Sequence, residues 1–322
     1  MARVPTGLRN VAILLLIWEI AGRMDLVASG ALPGFSEILI RLWEDRADYP
    51  RHIWATLYAS GVGFLIGNAI ALMAGVAFAM SPTLLRLFRG VNIAVFALPP
   101  IAIAPILVLT LSGMAPRIVL AALAVYFVTM TATVIGISQS DSRASDLVKA
   151  YGGGRWRILW LVQLRSALPT IITGFQIAAP NAVLGAILAE FGGGGRWGLG
   201  TYLLGSLGRG EPDRLWGIGL IATAIAGLGY LFFALISRRL IGATRAVTLN
   251  TATPIGEAVS TSPLKRTMML IGIVSLPFLL WWAFIVLTGV PAMIGKTPFG
   301  VIDYLFFAKT APVAQEKLFQ AL

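Results

Sequence analysis

Side chains able to do chemistry are few in this 322-residue chain. It has no cysteine, which removes disulfides, thiolate metal sites and thiol nucleophiles. The single histidine, His52, excludes a cluster of imidazole ligands and argues against a histidine-based catalytic dyad. At the edge of an apolar stretch it reads as a solvated side chain rather than a ligand. Two carboxylates, Glu19 and Glu190, stand within or at the end of apolar stretches, where ionisable groups are costly and commonly functional. Either suits a proton relay, which would make the chain a secondary transporter. Both also lie close enough to the ends of their stretches for snorkelling or pairing to account for them.

Two phosphate-site patterns fail on context. Gly193, Gly195 and Gly198 satisfy G-x-G-x-x-G, but an apolar window rather than a strand precedes them. Gly289 with Gly295, Lys296 and Thr297 has five residues between its glycines where a P-loop needs four. No cofactor or metal site is therefore expected. Proline chemistry is more telling: Pro99, Pro100 and Pro105 crowd one apolar window, remove backbone donors and kink a helix. In a membrane such breaks are tolerated against protein or a wet cavity. Pro99, Pro100 and Pro105, with Asn181 and Glu190, are the candidates for lining a pathway.

The elements that must position these groups follow from the charges. Of all residues 57% are hydrophobic and 12% charged, with mean hydropathy +0.84. A soluble domain carries about 25% charged residues, so a water-soluble enzyme, a disordered chain and a secreted disulfide scaffold are all excluded. Six charge-free windows separate Arg51 from Arg86, Arg89 from Arg117, Arg117 from Asp141, Arg165 from Glu190, Arg214 from Arg238 and Arg266 from Lys296. About 20 apolar residues cross a bilayer as a helix, and these runs lack the alternation of a barrel strand. A shorter window, Val11 to Gly22, interrupted by Glu19, makes a further span. The expected fold is an all-α polytopic membrane bundle with six core transmembrane helices plus a seventh.

Orientation accounts for the formal net charge of +11. With a cytoplasmic N-terminus, inner segments carry Arg3, Arg9, Arg86, Arg89, Arg143, Lys149 and other basic residues against only Asp141, Asp146 and Glu257. Basic residues favour the cytoplasmic side, so nucleic acid is not needed to explain them. On the outer side, Phe35 to Trp43 repeats apolar residues at helical spacing. It suits a helix lying on the membrane surface or one packed on neighbouring spans. The richest polar stretch runs from Ser145 to Gly174. A short helix, Asp146 to Tyr151, should end at the glycine run, and Pro169 should open the next span in its first turn.

This loop resembles the cytoplasmic signature of ABC-importer permeases: Glu-Ala-Ala, three residues, Gly, nine residues, then Ile-x-Leu-Pro. Aligned on Gly152, the triplet falls on Asp146, Leu147 and Val148, followed by Lys149 and Ala150. Ile-x-Leu-Pro falls on Val162 to Arg165, with Leu164 matching and the proline replaced by Arg165; Pro169 matches a second proline usual in the family. Residues 97–107 and the segment Leu188 to Leu203 are similar to the nitrate, sulfonate and taurine branch. The resemblance covers about residues 10 to 245 and implies a non-enzymatic inner-membrane permease that imports a small anion or, alternatively, a heterocyclic precursor. It implies that Asp146 to Gly152 is a coupling helix. It also implies as partners a cytoplasmic ATPase dimer, an extracytoplasmic substrate-binding protein and a second permease module. A proton-coupled transporter using Glu19 or Glu190, or a membrane scaffold that transports nothing, would need no ATPase.

Beyond residue 245 the pattern begins again. Residues 246–265 are rich in Thr, Ser, Ala and Pro and read as a linker. Residues 266–322 then look like the start of a second permease copy, with Trp18 facing Trp281, Ile38 facing Val301, and Arg51 to Leu57 facing Glu316 to Leu322. The expected organisation is a permease domain at 1–245, the linker, and this partial copy.

Overall fold

The computed structural model of the protein describes residues 6–24, 31–193, 195–241, 263–288, 296–308, 311, 312 and 315. Residues 246–262 of the expected linker and the expected repeat at 316–322 lie outside these residues, and 263–265, expected in the linker, begin α12 instead. Among the described residues every regular element is helical. In chain order these are α1 (Thr6–Arg23), α2 (Phe35–Glu44), α3 (Tyr49–Met80), α4 (Pro82–Ala97), α5 (Pro100–Thr110), α6 (Ala115–Ser138) and α7 (Ser142–Ala150). There follow α8 (Arg155–Ile158), α9 (Leu164–Phe191), α10 (Leu199–Arg209), α11 (Pro212–Ile241), α12 (Pro263–Thr288) and α13 (Pro298–Ile302). The α13 helix starts on Thr297, whose hydroxyl accepts from Gly300 N at 3.2 Å.

Among the described residues, four helices are long and apolar enough to cross a membrane: α3, α6, the continuous Arg155–Phe191 helix and Pro212–Leu240. A fifth crossing exists if α4 and α5, bent by 92° to each other, count as one. Length and composition thus support four or five crossings among the described residues rather than seven. The difference at the N-terminal end is electrostatic, since α1 holds Arg9, Glu19 and Arg23 within 18 residues.

The core is α6 clasped between α3 and α9, with α11 on the far side of α9 and α12 against α4. Apolar attraction cannot drive helices together in lipid, so close backbone approach and interhelical hydrogen bonds must. Gly63, Gly67, Ala71 and Gly75 recur every fourth residue on α3 and face α6. A Cβ at Gly63 would lie 2.8 Å from Ile118 O, and one at Gly67 2.5 Å from Ala122 O. Between these contacts Thr129 donates to Asn68 Oδ1, while Asn68 Nδ2 donates to Phe64 O at 2.7 Å. On the other face of α6, Gly185 of α9 approaches the Leu120 carbonyl just as closely.

One open choice is narrowed and one expectation changes. Of its two readings the α2 helix takes the packed one, resting on α1 and α11 with Ile38 fully buried. The span containing Pro169 does not begin at that proline. The α8 helix runs through a π-helical stretch, Leu159–Gln163, into α9, so Pro169 sits inside the helix. Burial of Ile158 and Leu159 holds the amphipathic stretch helical ahead of the proline. The Pro169 carbonyl accepts from Thr173 Oγ1 at 3.0 Å, one way a neighbouring side chain re-satisfies backbone near a helix-internal proline.

Replacing Gly67 with Leu should therefore overpack α3 against α6 and destabilise the protein by about 1–3 kcal/mol. Gly61→Leu, where an added Cβ meets nothing within 4 Å, should be neutral. Thermal unfolding of the detergent-solubilised protein, followed by size-exclusion fluorescence, compares the two.

Candidate functional site

At one end of the bundle, the chain leaves α6 and returns to α9 through α7 and α8. Asp141 Oδ1 caps α7 by accepting from Arg143 N at 2.8 Å. The helix closes on a Schellman turn: Gly152 N donates to Lys149 O and Gly153 N to Val148 O, both at 2.8 Å. That turn needs a left-handed residue, and Gly152 supplies it with φ +76° and no neighbour within 4 Å of an added Cβ. Asp146 and Lys149 pair along the exposed face at 2.9 Å. Leu147 is 60% exposed, Ala150 is exposed, and Ala144, Ser145 and Val148 turn partly inward. Arg155 Nη2 donates to Met80 O at 2.5 Å, tying the base of the loop to the end of α3. Leu164 and Pro169 sit half-buried in α9 beyond the π stretch. Of the residues marked in the sequence, Asp146 to Ala150 therefore lie on a short exposed helix closed by Gly152, on a base anchored to two long helices, and Leu164 and Pro169 belong to α9 itself.

Between α4, α5, α6 and α9 lies a cavity of about 200 Å³. Its wall includes Phe96, Leu98, Pro100, Leu123, Phe127, Asn181, Leu184 and Leu188. The break at its mouth follows from local sequence. A residue before proline is driven to extended backbone, and Leu98 and Pro99 adopt ψ 122° and 114° ahead of Pro99 and Pro100. Phe96 and Phe127 stack with centroids 4.4 Å apart. Two of the pathway candidates, Pro100 and Asn181, share this wall. Pro99 and Pro105 are exposed on the same bend without lining it, and Glu190 lies elsewhere.

Glu190 sits at the opposite end of α9 from α7 and is 0% exposed. It accepts from Thr56 Oγ1 at 2.9 Å and from Gly200 N at 2.9 Å, and faces Arg117 Nη1 at 3.8 Å. Arg117, 2% exposed, also donates to Trp197 O at 2.7 Å. Thr56 in turn accepts from Leu199 N at 2.9 Å. His52, expected in solvent, is instead 7% exposed. Its Nδ1 lies 2.8 Å from the carbonyl and 3.2 Å from the N–H of Gly198, and its ring stacks on Tyr202 at 4.4 Å. The physical reason is that the glycine-rich turn folds back over it. Gly195 and Gly198 have φ +104° and +153°, and a Cβ at Gly198 would strike the Glu190 carboxylate. Four side chains from three helices thus bind one turn, and Glu190 supplies it with fixed acceptors. Glu19 is likewise paired, with Arg23 at 2.6 Å and with Ser36 Oγ at 2.6 Å.

Beside this network a charged clasp joins α2 to α11. Arg214 grips Asp45 through Nε at 2.6 Å and Nη2 at 2.9 Å, and reaches Glu211 at 2.5 Å. Arg41 closes on Glu211 from the other side at 3.5 Å. Burial works to raise the Asp45 carboxyl, but the Arg214 hydrogen bonds and the charges of Arg214 and Arg41 outweigh it and hold it below its ordinary 3.8. Sequence reasoning missed Arg117, Thr56 and this clasp. Arg117 carried a signal, standing as the lone charge between Arg89 and Asp141. Thr56 carried none.

Residues 67–245 match the family described as binding-protein-dependent transport system inner membrane component. A probable ABC transporter permease protein of Haemophilus influenzae is 28% identical over 225 residues, 70% of this chain and 91% of that protein. The putative aliphatic sulfonates transport permease protein of Bacillus subtilis is 25% identical over 240 residues, 73% of this chain and 86% of its own. The formylaminopyrimidine transport permease protein of Halalkalibacterium halodurans is 26% identical over 191 residues, 59% of this chain and 76% of its own.

Two measurements test these networks. Glu190→Ala strands the Arg117 guanidinium in the interior and should cost about 3–5 kcal/mol, whereas the Glu190→Ala, Arg117→Met pair should recover much of that loss. Denaturant titration of the purified protein reads both. For Asp45, the depressed pKa means its stabilisation is present above pH 3.8 and is lost as pH falls through the lower folded value. The thermal midpoint of the wild type should exceed that of Asp45→Asn near pH 6, and the two should converge well below pH 3.8.

Proposed function

Because this chain belongs to the family of binding-protein-dependent transport system inner membrane components, and is thus an ABC transporter permease subunit, we propose that it imports a small solute by alternating access. The observation that carries this reading is the exposed helix α7, closed by Gly152 at φ +76° and rooted between α6 and α9. A helix with Leu147 at its tip and a rigid glycine turn at its end suits the groove of a partner ATPase. Movement of that partner would pass through the Arg155–Met80 contact into α3 and through the π stretch into α9. The π stretch is a natural place for such movement to be absorbed, since π-bulges recur at functional sites.

The family implies two ATPase subunits and an extracytoplasmic binding protein around a pair of permease modules in the inner membrane. On this reading α7 faces the cytoplasm, as does the N-terminus, while the Glu190 network and the Asp45–Arg214 clasp face outward toward the binding protein. The order of a long helix, a proline and a short helix in α12 and α13 repeats that of α1 and α2. It supports residues 266–322 as the opening of a second module after a 1–245 permease domain, with the connecting segment ending where α12 begins at Pro263.

Gly152→Val places a β-branched residue in the left-handed region, at a cost of about 1–2 kcal/mol, and should unmake the turn behind α7. ATP-driven uptake should fall at least tenfold while the amount of inserted protein stays unchanged. Uptake at the wild-type rate in that variant would remove the coupling role of α7.

A further inference from the structure

The cavity beside the 92° bend differs chemically from a site for a small oxyanion, although oxyanions are what the resemblance to the sulfonate and taurine branch suggested. None of its lining residues is charged. A sulfonate or nitrate brought there would lose its hydration and meet no cation, which costs several kcal/mol. A helix N-terminus can stand in for a cation by presenting free N–H groups. Here that route is largely closed: Pro99 and Pro100 have no N–H, and the N–H groups of Ala102 and Ile103 are already spent on Pro99 O at 3.0 and 3.3 Å.

What the wall does offer is flat and neutral. Phe96, 64% exposed, stacks on Phe127 and leaves its outer face open to a planar guest. Asn181, half-buried on α9, lines the same cavity, and among the described residues its amide has no hydrogen-bond partner. An amide presents a donor and an acceptor side by side, which matches the ring nitrogen and amino edge of a heterocycle. The volume of about 200 Å³ falls below the roughly 300–1,000 Å³ of sites that hold drug-sized ligands, so the cavity suits a guest of one or two rings.

We propose that this cavity is the solute contact of the pathway and selects an uncharged aromatic heterocycle, with its face on Phe96 and its polar edge on Asn181. The proposal rests on the permease reading and adds to it the class of solute. Leu184 and Leu188 then serve as the apolar floor, and the bend at Pro100 sets the height of the slot.

The test is equilibrium binding to the full chain assembled with its partner subunits in lipid nanodiscs, using two radiolabelled probes, formylaminopyrimidine and ethanesulfonate. Saturable binding of formylaminopyrimidine is expected, weakened at least tenfold by Asn181→Leu and by Phe96→Ala, with no saturable binding of ethanesulfonate. Asn181→Lys, which adds the missing cation, should reverse the preference. Saturable ethanesulfonate binding by the wild type, heterocycle binding indifferent to both Asn181→Leu and Phe96→Ala, or no saturable binding of either probe would overturn the proposal. Thermal midpoints within a few degrees of wild type separate loss of contact from loss of fold. Failure of the permease reading would show separately, as uptake indifferent to Gly152→Val whatever the binding result.

Discussion

A backbone inside hydrocarbon has no water to bond to, so each of its N–H and C=O groups must find a partner within the protein. Most of this chain meets that demand by staying helical, and the exceptions are informative. Pro99 and Pro100 break the fourth and fifth helices beside a cavity, and the π-helical Leu159–Gln163 loosens the ladder where the α7 loop joins α9. The glycine-rich turn after α9 leaves helical geometry only where Glu190, Thr56, Arg117 and His52 receive its backbone groups. At the bend and at the glycine-rich turn, irregular backbone thus sits beside a cavity or beside side chains arranged to satisfy it.

The same demand explains an unusual investment in buried charge. An isolated carboxylate at the position of Glu190 would be strongly destabilising, yet paired with Arg117 and bonded to Thr56 and Gly200 it becomes a rigid template. Its value lies in geometry more than in net stabilisation, because it holds the start of α10 against α3 and α9. The α10 helix then carries Tyr202, which stacks on His52, and the chain beyond it leads into the Asp45–Arg214 clasp. One end of the bundle is thus locked by polar networks. The other end presents α7 with few bonds to the rest, and that asymmetry suits a body moved from the α7 side.

Much of this was legible in the residues taken one after another. Charge-free windows marked the long helices, three clustered prolines marked the break, and the glycine run after Ala150 marked the end of α7. These features are local, decided by the covalent limits of proline and glycine and by the cost of charge in lipid, and so they can be read without a fold. The count of spans turns on places where one rule meets another, as in α1, where apolar length and three charges compete within a single helix. Pro169 misled for a similar reason, since a proline at the start of an apolar window and one inside a longer helix look alike until the preceding residues are seen packed.

What the sequence alone determined, then, is the class of object: an all-helical membrane protein with a broken helix and an exposed polar loop of recognisable layout. What only the tertiary structure decided is which of its scattered polar residues meet. Glu190 and Thr56 are separated by 134 residues, Arg214 and Asp45 by 169, and neither pair leaves a mark on composition or periodicity. The first meeting depends on α3 and α9 being drawn together around α6 through small residues and the second on α2 packing against α11, while Asn181 and Phe96 share a wall where that packing leaves a gap beside the bend. Spacing along the chain governs helices, whereas long-range approach governs sites, and that approach is set by how side-chain volumes fit once the helices are side by side.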